Sequence, residues 1–191
     1  MKKLIQGMHE FRTKVFNGQK SFFAKLAEGQ KPEALFITCS DSRLNPNELT
    51  QTKPGELFIL RNAGNLIPAY GQGSGGEAAT IEFGLMSLGI KHIIVCGHSH
   101  CGAMKALMSS DPLDTLPAVK KWLDNAAHTR QVVKENYTDL SEDDLMDVTI
   151  QENVLCQIQN LKTHPAVAAR LARGELSIHA WIHRFESGQV F

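Results

Sequence analysis

The chain has no surplus of charge. Its 191 residues hold 20 Lys plus Arg and 20 Asp plus Glu, a formal net charge of zero. Nothing draws it electrostatically to nucleic acid or to an anionic membrane, and neither is expected as a partner. Long apolar runs are also lacking. The longest span a few residues, well short of the ~20 that a bilayer-crossing helix needs. The opening stretch MKKLIQGMHEF has two lysines but no long apolar core and no small-residue cleavage site. No signal peptide is expected, and the expected location is cytoplasmic. Cysteines are few, at 39, 96, 101 and 156. In a reducing compartment they serve as ligands, nucleophiles or core residues rather than as disulfides. Internal repeats, low-complexity tracts and linkers are absent, and the length suits one domain with a real core.

What is present is a sequence of short periodic segments. Leu4, Met8, Phe11 and Val15 recur at four- and three-residue steps and give a helix over 4–15 one apolar face. Gly18 interrupts, and SFFAKLAEG forms a second short helix ending at Gly29. ALFIT (34–38), ELFIL (56–60) and HIIVCG (92–97) are apolar runs bounded by turn residues, the pattern of buried strands. Between the last two, GEAATIEFGLMSLG sets Ala78, Ile81, Leu85 and Leu88 on one helical face. The preceding GQGSGG (71–76) lacks the Lys-Ser/Thr ending of a phosphate loop and reads as a flexible turn and helix cap. Residues 116–172 read as mostly helical, with a long helix capped by Ser141. SIHAWIHRF (177–185) alternates as a late strand, and QVF is expected to turn back on it across Ser187 and Gly188. Strands alternating with helices define an α/β fold, a mainly parallel central sheet flanked by helices. The expected organisation is a single domain, 1–191. It comprises an N-terminal helical arm (1–30), an α/β core carrying the site (31–110), and a helical region with a closing strand (111–191).

Sheets of this kind put their sites at the carboxyl ends of the strands. Two constellations leave strands there. TCSDSR (38–43) follows ALFI, with Cys39, Asp41 and Arg43 at alternate positions. CGHSHCGAMKAL (96–107) follows HIIV, and a turn into a helix would bring His98 and Cys101 to one point. With Cys39 they form a Cys₂His set, which favours zinc, and three protein ligands leave a fourth position for water. Singly, each residue has a plainer use. A buried Cys is commonly a small apolar filler, a His a hydrogen-bonded structural residue, and DSR a helix cap with an ion pair. Those uses explain poorly why the residues gather at two strand ends. Two other functions stay open: a non-catalytic zinc protein whose site Asp41 closes, and a Cys-dependent hydrolase with His beside Cys. Cys96 and Cys156 read as core, and His100 as facing away from Cys101.

The pair CSDSR (39–43) and HSHCG (98–102) resembles the β-class carbonic anhydrases, in their plant and cyanobacterial-like branch. PGELFILRNAGNLIP (54–68) and GGEAATIEFGLMSLGIKHIIVCGHSHCGAMKAL (75–107) extend the similarity, which is strong over 20–110 and looser in IHAWIHRFESGQV. The resemblance implies zinc-dependent reversible hydration of carbon dioxide to bicarbonate and a proton, by hydroxide attack at one Zn2+ per chain. It implies Cys39, His98 and Cys101 as the metal ligands and Asp41 with Arg43 as the catalytic dyad. An ionised Asp41 can only accept hydrogen bonds and would aim the nucleophile, and Arg43 would hold it in place.

By the same resemblance, Phe58, Ala63 and Phe83 line an apolar substrate pocket and Gly102 offers a backbone N–H. Gln30 reaches the substrate from a neighbouring subunit. Phe83 stands where plant members commonly have Tyr. A homodimer or tetramer is implied, with the N-terminal helices packing on a partner subunit. Some bacterial members hold an inhibitory bicarbonate with a Trp, an Arg and a Tyr. Those positions here carry Phe36, Arg61 and His183, so that pocket is not expected, and Asp41 is expected to pair with Arg43 rather than close the site.

Overall fold

The computed structural model of the protein describes residues 1–73, 75–110 and 112–191. It divides into two compact units, Met1–Lys31 and Pro32–Phe191. In the first unit, helix α1 (Lys2–Glu10) runs on as a π-helical stretch, Phe11–Phe16, and α2 spans Lys20–Ala27. Thr13 turns its hydroxyl back onto the His9 carbonyl at 2.8 Å, in the stretch where the winding loosens. The predicted apolar positions Leu4, Met8, Phe11 and Val15 are exposed. Phe23 of α2 meets the rings of Phe11 and Phe16, with centroids 5.4 and 5.3 Å away.

The second unit is built on four parallel strands. They are β1 (Ala34–Cys39), β2 (Leu57–Asn62), β3 (His92–His98) and β4 (Ser177–His183), in the order β2-β1-β3-β4. The two strands that carry the chemistry-bearing motifs, β1 and β3, are therefore adjacent and central. The short helix α3 (Pro46–Thr50) begins with the Asn45 side chain accepting the Asn47 N–H and Pro46 in the first turn. Helix α4 (Gly76–Met86) connects β2 to β3. Between β3 and β4 lie α5 (Gly102–Met108), α6 (Pro117–Leu123), α7 (Ala127–Asn136), α8 (Glu142–Lys162) and α9 (Pro165–Ala172). Ser141 caps α8 as expected, accepting the Asp144 N–H at 3.2 Å.

One sheet face packs Leu35, Ile37, Ile93 and Val95 against Ile81 and Leu85 of α4 and Ile150, Val154 and Leu161 of α8. The other gathers Ala34, Phe36, Ile94 and Cys96 with Leu49 and Trp181. Burying each large aliphatic side chain contributes about 1.5–3 kcal/mol, so strands β1 and β3 are strongly fixed in register. Gly97 permits the close approach of α8: a Cβ there would stand 2.9 Å from Val154 Cγ2. Among the described residues, no helix is long and apolar enough to cross a membrane.

Several boundaries differ from those read in the sequence. Strand β2 starts one residue later and runs to Asn62, because its pairing with β1 continues to Cys39 opposite Asn62. Strand β4 stops at His183 rather than 185. Arg184 begins the return turn, where Gly188 takes φ 68° and donates to the Arg184 carbonyl. The tail then pairs antiparallel with β4, Ile182 and Phe191 exchanging backbone hydrogen bonds of 2.8 and 3.2 Å. Leu88 packs on the core from beyond the end of α4. Gly75 is the N-cap of α4, and Ser74 of the glycine-rich stretch lies outside the described residues.

Candidate metal centre

Cys39 is the last residue of β1, His98 the last of β3, and Cys101 the N-cap of α5. Adjacent parallel strands end side by side, and the turn after β3 folds Cys101 back onto the same point. Their ligand atoms lie within 4.8 Å of one another. All three side chains are buried, at 6%, 0% and 1% exposure, so the cluster sits in a low-dielectric pocket. His98 Nδ1 lies 2.9 Å from the Ser99 carbonyl, which can only accept, so Nδ1 carries the proton. The lone pair is thereby left on Nε2, which is buried and without a hydrogen-bond partner. A buried, unpaired imidazole nitrogen beside two thiols is costly unless something binds it.

The two thiols divide their protonation. A hydrogen bond from Cys101 lowers the pKa of Cys39, aided by the backbone of Gly64 and Asp41, against the opposing effect of burial. That same hydrogen bond, together with burial, pushes Cys101 up. Thiolate is the form that binds a metal, and binding a dication here releases protons from the thiols. These donors, soft sulfur and neutral imidazole, fit zinc. Cys96, by contrast, is pushed up to about 12 by burial and is an inert core thiol, as expected.

Asp41 is not among the clustered ligand groups. Arg43 holds both of its oxygens, Nε to Oδ1 at 3.0 Å and Nη2 to Oδ2 at 2.8 Å. These bonds, above all, keep the Asp41 carboxyl well below the usual carboxylate range. Arg43 is itself placed from two directions. Its Nη2 donates to the His100 carbonyl at 3.3 Å, and its guanidinium lies over the Phe185 ring, 4.6 Å from the centroid. His100 takes φ 54° and turns its side chain outward to Glu186, facing away as expected.

Two residues missed as parts of this arrangement emerge here. Arg61 of β2 donates to the Cys39 carbonyl at 3.0 Å and the Asp41 carbonyl at 2.7 Å, bracing the turn that carries both. Phe185 contacts the ligand ring of His98 at 5.2 Å and the His183 ring at 5.0 Å while supporting Arg43. Nothing local marks the bracing role of either residue, because Arg61's partners lie at the end of β1 and Phe185's contacts to Arg43 and His98 come from other parts of the chain.

The remaining predicted positions are more scattered. Gly102 opens α5 next to Cys101 and is exposed. Ala63 follows β2, and its carbonyl accepts the Trp122 Nε1–H at 2.8 Å. Phe58 and Phe83 meet each other, centroids 6.1 Å apart. Phe58 pairs with Leu35, four residues before Cys39, which is ~13 Å along the strand. A single chain does not bring these two rings to the cluster. Gln30 belongs to the first unit and is exposed. Phe36 is buried against Trp181, with centroids 6.0 Å apart.

Residues 34–190 match the family model described as carbonic anhydrase. A carbonic anhydrase of Synechococcus elongatus is 51% identical over 191 residues, covering 100% of this chain and 70% of the relative. The solved β-carbonic anhydrase CcaA superposes with a TM-score of 0.97 at 50% identity, covering 100% of this chain and 86% of that one. One of two β-carbonic anhydrases of Sordaria macrospora, described as tetrameric, reaches a TM-score of 0.89 at 27% identity, covering 99% of this chain and 94% of that one.

Proposed function

This chain belongs to the carbonic anhydrase family and is an enzyme of its β class, and we propose that it hydrates carbon dioxide reversibly to bicarbonate and a proton at a zinc ion held by Cys39, His98 and Cys101. The observation that carries this reading is His98 Nε2, buried without a partner where two thiols converge. Bound there, zinc supplies a nucleophile from water near neutral pH.

The chain's own groups do the rest. Asp41, kept ionised by Arg43, offers only acceptor oxygens. It takes the hydrogen bond of the attacking species and leaves a lone pair free for the carbon of CO₂. Arg43 stays protonated throughout and holds Asp41 off the metal. Arg61 fixes the Cys39–Asp41 turn, so ligand and dyad keep one geometry. Gly102 adds a backbone N–H at the start of α5.

Phe58, Ala63, Phe83 and Gln30 form the apolar and positioning part of the substrate site. Phe58 and Phe83 are remote from the cluster along their own chain, and Gln30 lies on the N-terminal unit. Their contribution therefore calls for a second copy, in a homodimer or tetramer whose N-terminal helices pack on the partner. The exposed Leu4, Met8, Phe11 and Val15 support that association. A non-catalytic site closed by Asp41 is disfavoured, because both Asp41 oxygens are engaged by Arg43.

Elemental analysis paired with a CO₂ hydration assay tests the reading. About one zinc per chain with hydration activity is the expected result. Protein with neither zinc nor a comparable metal overturns it, and zinc without hydration returns the closed, non-catalytic site.

A further inference from the structure

Helix α8 carries amides where its buried face would otherwise be apolar. Asn153, Gln157 and Asn160 follow one another at helical spacing among Ile150, Val154 and Leu161. Asn153 and Gln157 are 1% and 0% exposed. Buried amides destabilise a fold unless their groups are bonded, so their partners reveal what they are for.

Those partners lie in one segment, 64–70, which follows β2. Asn153 Nδ2 donates to the Gly64 carbonyl at 3.0 Å. Gln157 Nε2 donates to Asn153 Oδ1 at 3.0 Å, and Gln157 Oε1 accepts the Ile67 N–H at 2.7 Å. Asn160 Nδ2 reaches the same Oε1 at 3.4 Å. Past the helix end, Thr163 Oγ1 accepts the Tyr70 N–H at 2.8 Å, and His164 Nε2 lies 3.0 Å from the Pro68 carbonyl.

Gly64 is held on both sides. Its carbonyl takes the Asn153 amide, and its own N–H donates to Cys39 Sγ at 3.4 Å. The turn has little slack. Gly64 sits at φ 82°, and a Cβ there would stand 2.9 Å from the Ala103 Cβ.

We propose that Asn153 and Gln157 are positioning residues for the metal site: they aim the Gly64 N–H at Cys39 Sγ and thereby set how firmly the cluster keeps its ion. The inference rests on the zinc reading above. An N–H from a fixed backbone restrains the sulfur and offsets part of its negative charge. Trp122 Nε1–H holds the Ala63 carbonyl of the peptide that carries this N–H at 2.8 Å, and Asn153 holds the next peptide, Gly64–Asn65, so that the two fix both backbone torsions of Gly64; released from Asn153, Gly64 can shift and its N–H swing off Sγ. Loss of an outer hydrogen-bond partner of a metal ligand typically weakens binding about 10- to 100-fold.

The test is zinc transfer from purified protein to a chromogenic chelator. Asn153→Ala should lose zinc at least about tenfold faster than wild type. Val167→Ala, a buried apolar truncation on α9 that lowers stability without touching the Gly64 turn, serves as the control and should stay near the wild-type rate. Transfer from folded Asn153→Ala within about twofold of wild type would overturn the proposal, as would equal acceleration in the control. Gln157→Met keeps the volume and leaves Asn153 in place. It should give an intermediate acceleration, and it provides the same comparison if Asn153→Ala fails to fold. Wild-type protein that binds no zinc would overturn the metal reading itself. Zinc-loaded wild type with unchanged variants would overturn only the role of α8.

Discussion

Arg43 grips Asp41 with two side-chain hydrogen bonds of 3.0 and 2.8 Å, and its own peptide N–H adds a third, 3.0 Å, to Oδ1. Cys39, Asp41 and Arg43 alternate along one short turn, so the carboxylate lies beside the Cys39–His98–Cys101 cluster while Arg43 holds both of its oxygens. Asp41→Asn keeps the shape but replaces an acceptor with a donor and discards the charged pair. Zinc content should stay near that of wild type while kcat/KM for CO₂ falls about a hundredfold or more. Stopped-flow hydration with metal analysis on the same sample checks this. Near-wild-type turnover at full zinc occupancy would refute the dyad.

Phe185 supports Arg43 from below and touches the His98 ring. A partly exposed cation–π contact is worth about 0.5–1 kcal/mol. Phe185→Ala should therefore lower kcat/KM about two- to fivefold with zinc retained, and Phe185→Tyr should restore most of it. An unchanged rate in the Ala variant would show that the ring is only packing.

The Asp41 carboxyl is lowered chiefly by its hydrogen bonds to Arg43. A lowered folded value means that the stabilisation is complete above the unfolded value of about 3.9 and fades as pH falls through the folded one. In metal-free protein, the wild-type melting temperature should drop more steeply than that of Asp41→Asn below about pH 4, and the two curves should run parallel above about pH 5. Thermal melts across this range decide it. Parallel curves throughout would mean that the pair does not survive in solution.

Cys101 offers its Sγ to the Cys39–His98 cluster and is also the N-cap of α5. Cys101→Ser should strip the metal and the activity together, since a serine hydroxyl is a poor zinc ligand. Inductively coupled plasma analysis gives the answer, and a fully zinc-loaded serine variant would remove Cys101 from the ligand set.

Phe36 has no donor to offer, and Arg61 spends its guanidinium on the Cys39 and Asp41 carbonyls. Bicarbonate should therefore inhibit hydration without cooperativity. Rate measurements at rising bicarbonate that gave a sigmoidal loss of activity would contradict this.

The α/β class, the four strands and the candidate trio Cys39, His98 and Cys101 were legible in the chain alone. Strand and helix periodicities are local, and so is the spacing that puts His98 and Cys101 on one turn. Soft ligands at the ends of apolar runs are themselves a chemical signature. The strand order was not written in any segment. Only packing decided that β1 and β3 lie side by side, bringing Cys39 to His98. The bracing role of Arg61, the contacts of Phe185 and the α8 amides stayed hidden for the same reason. Arg61 lies 22 residues from Cys39, and Asn153 lies 89 from Gly64. A guanidinium, a ring or an amide so far along the chain looks like any other until the fold closes. One faint signal existed for α8, in amides at helical spacing among Ile150, Val154 and Leu161, where a purely packing face would be apolar. Local patterns follow from the directions in which neighbouring side chains point. Contacts across the sheet follow from which surfaces bury one another, and only the tertiary structure settles that.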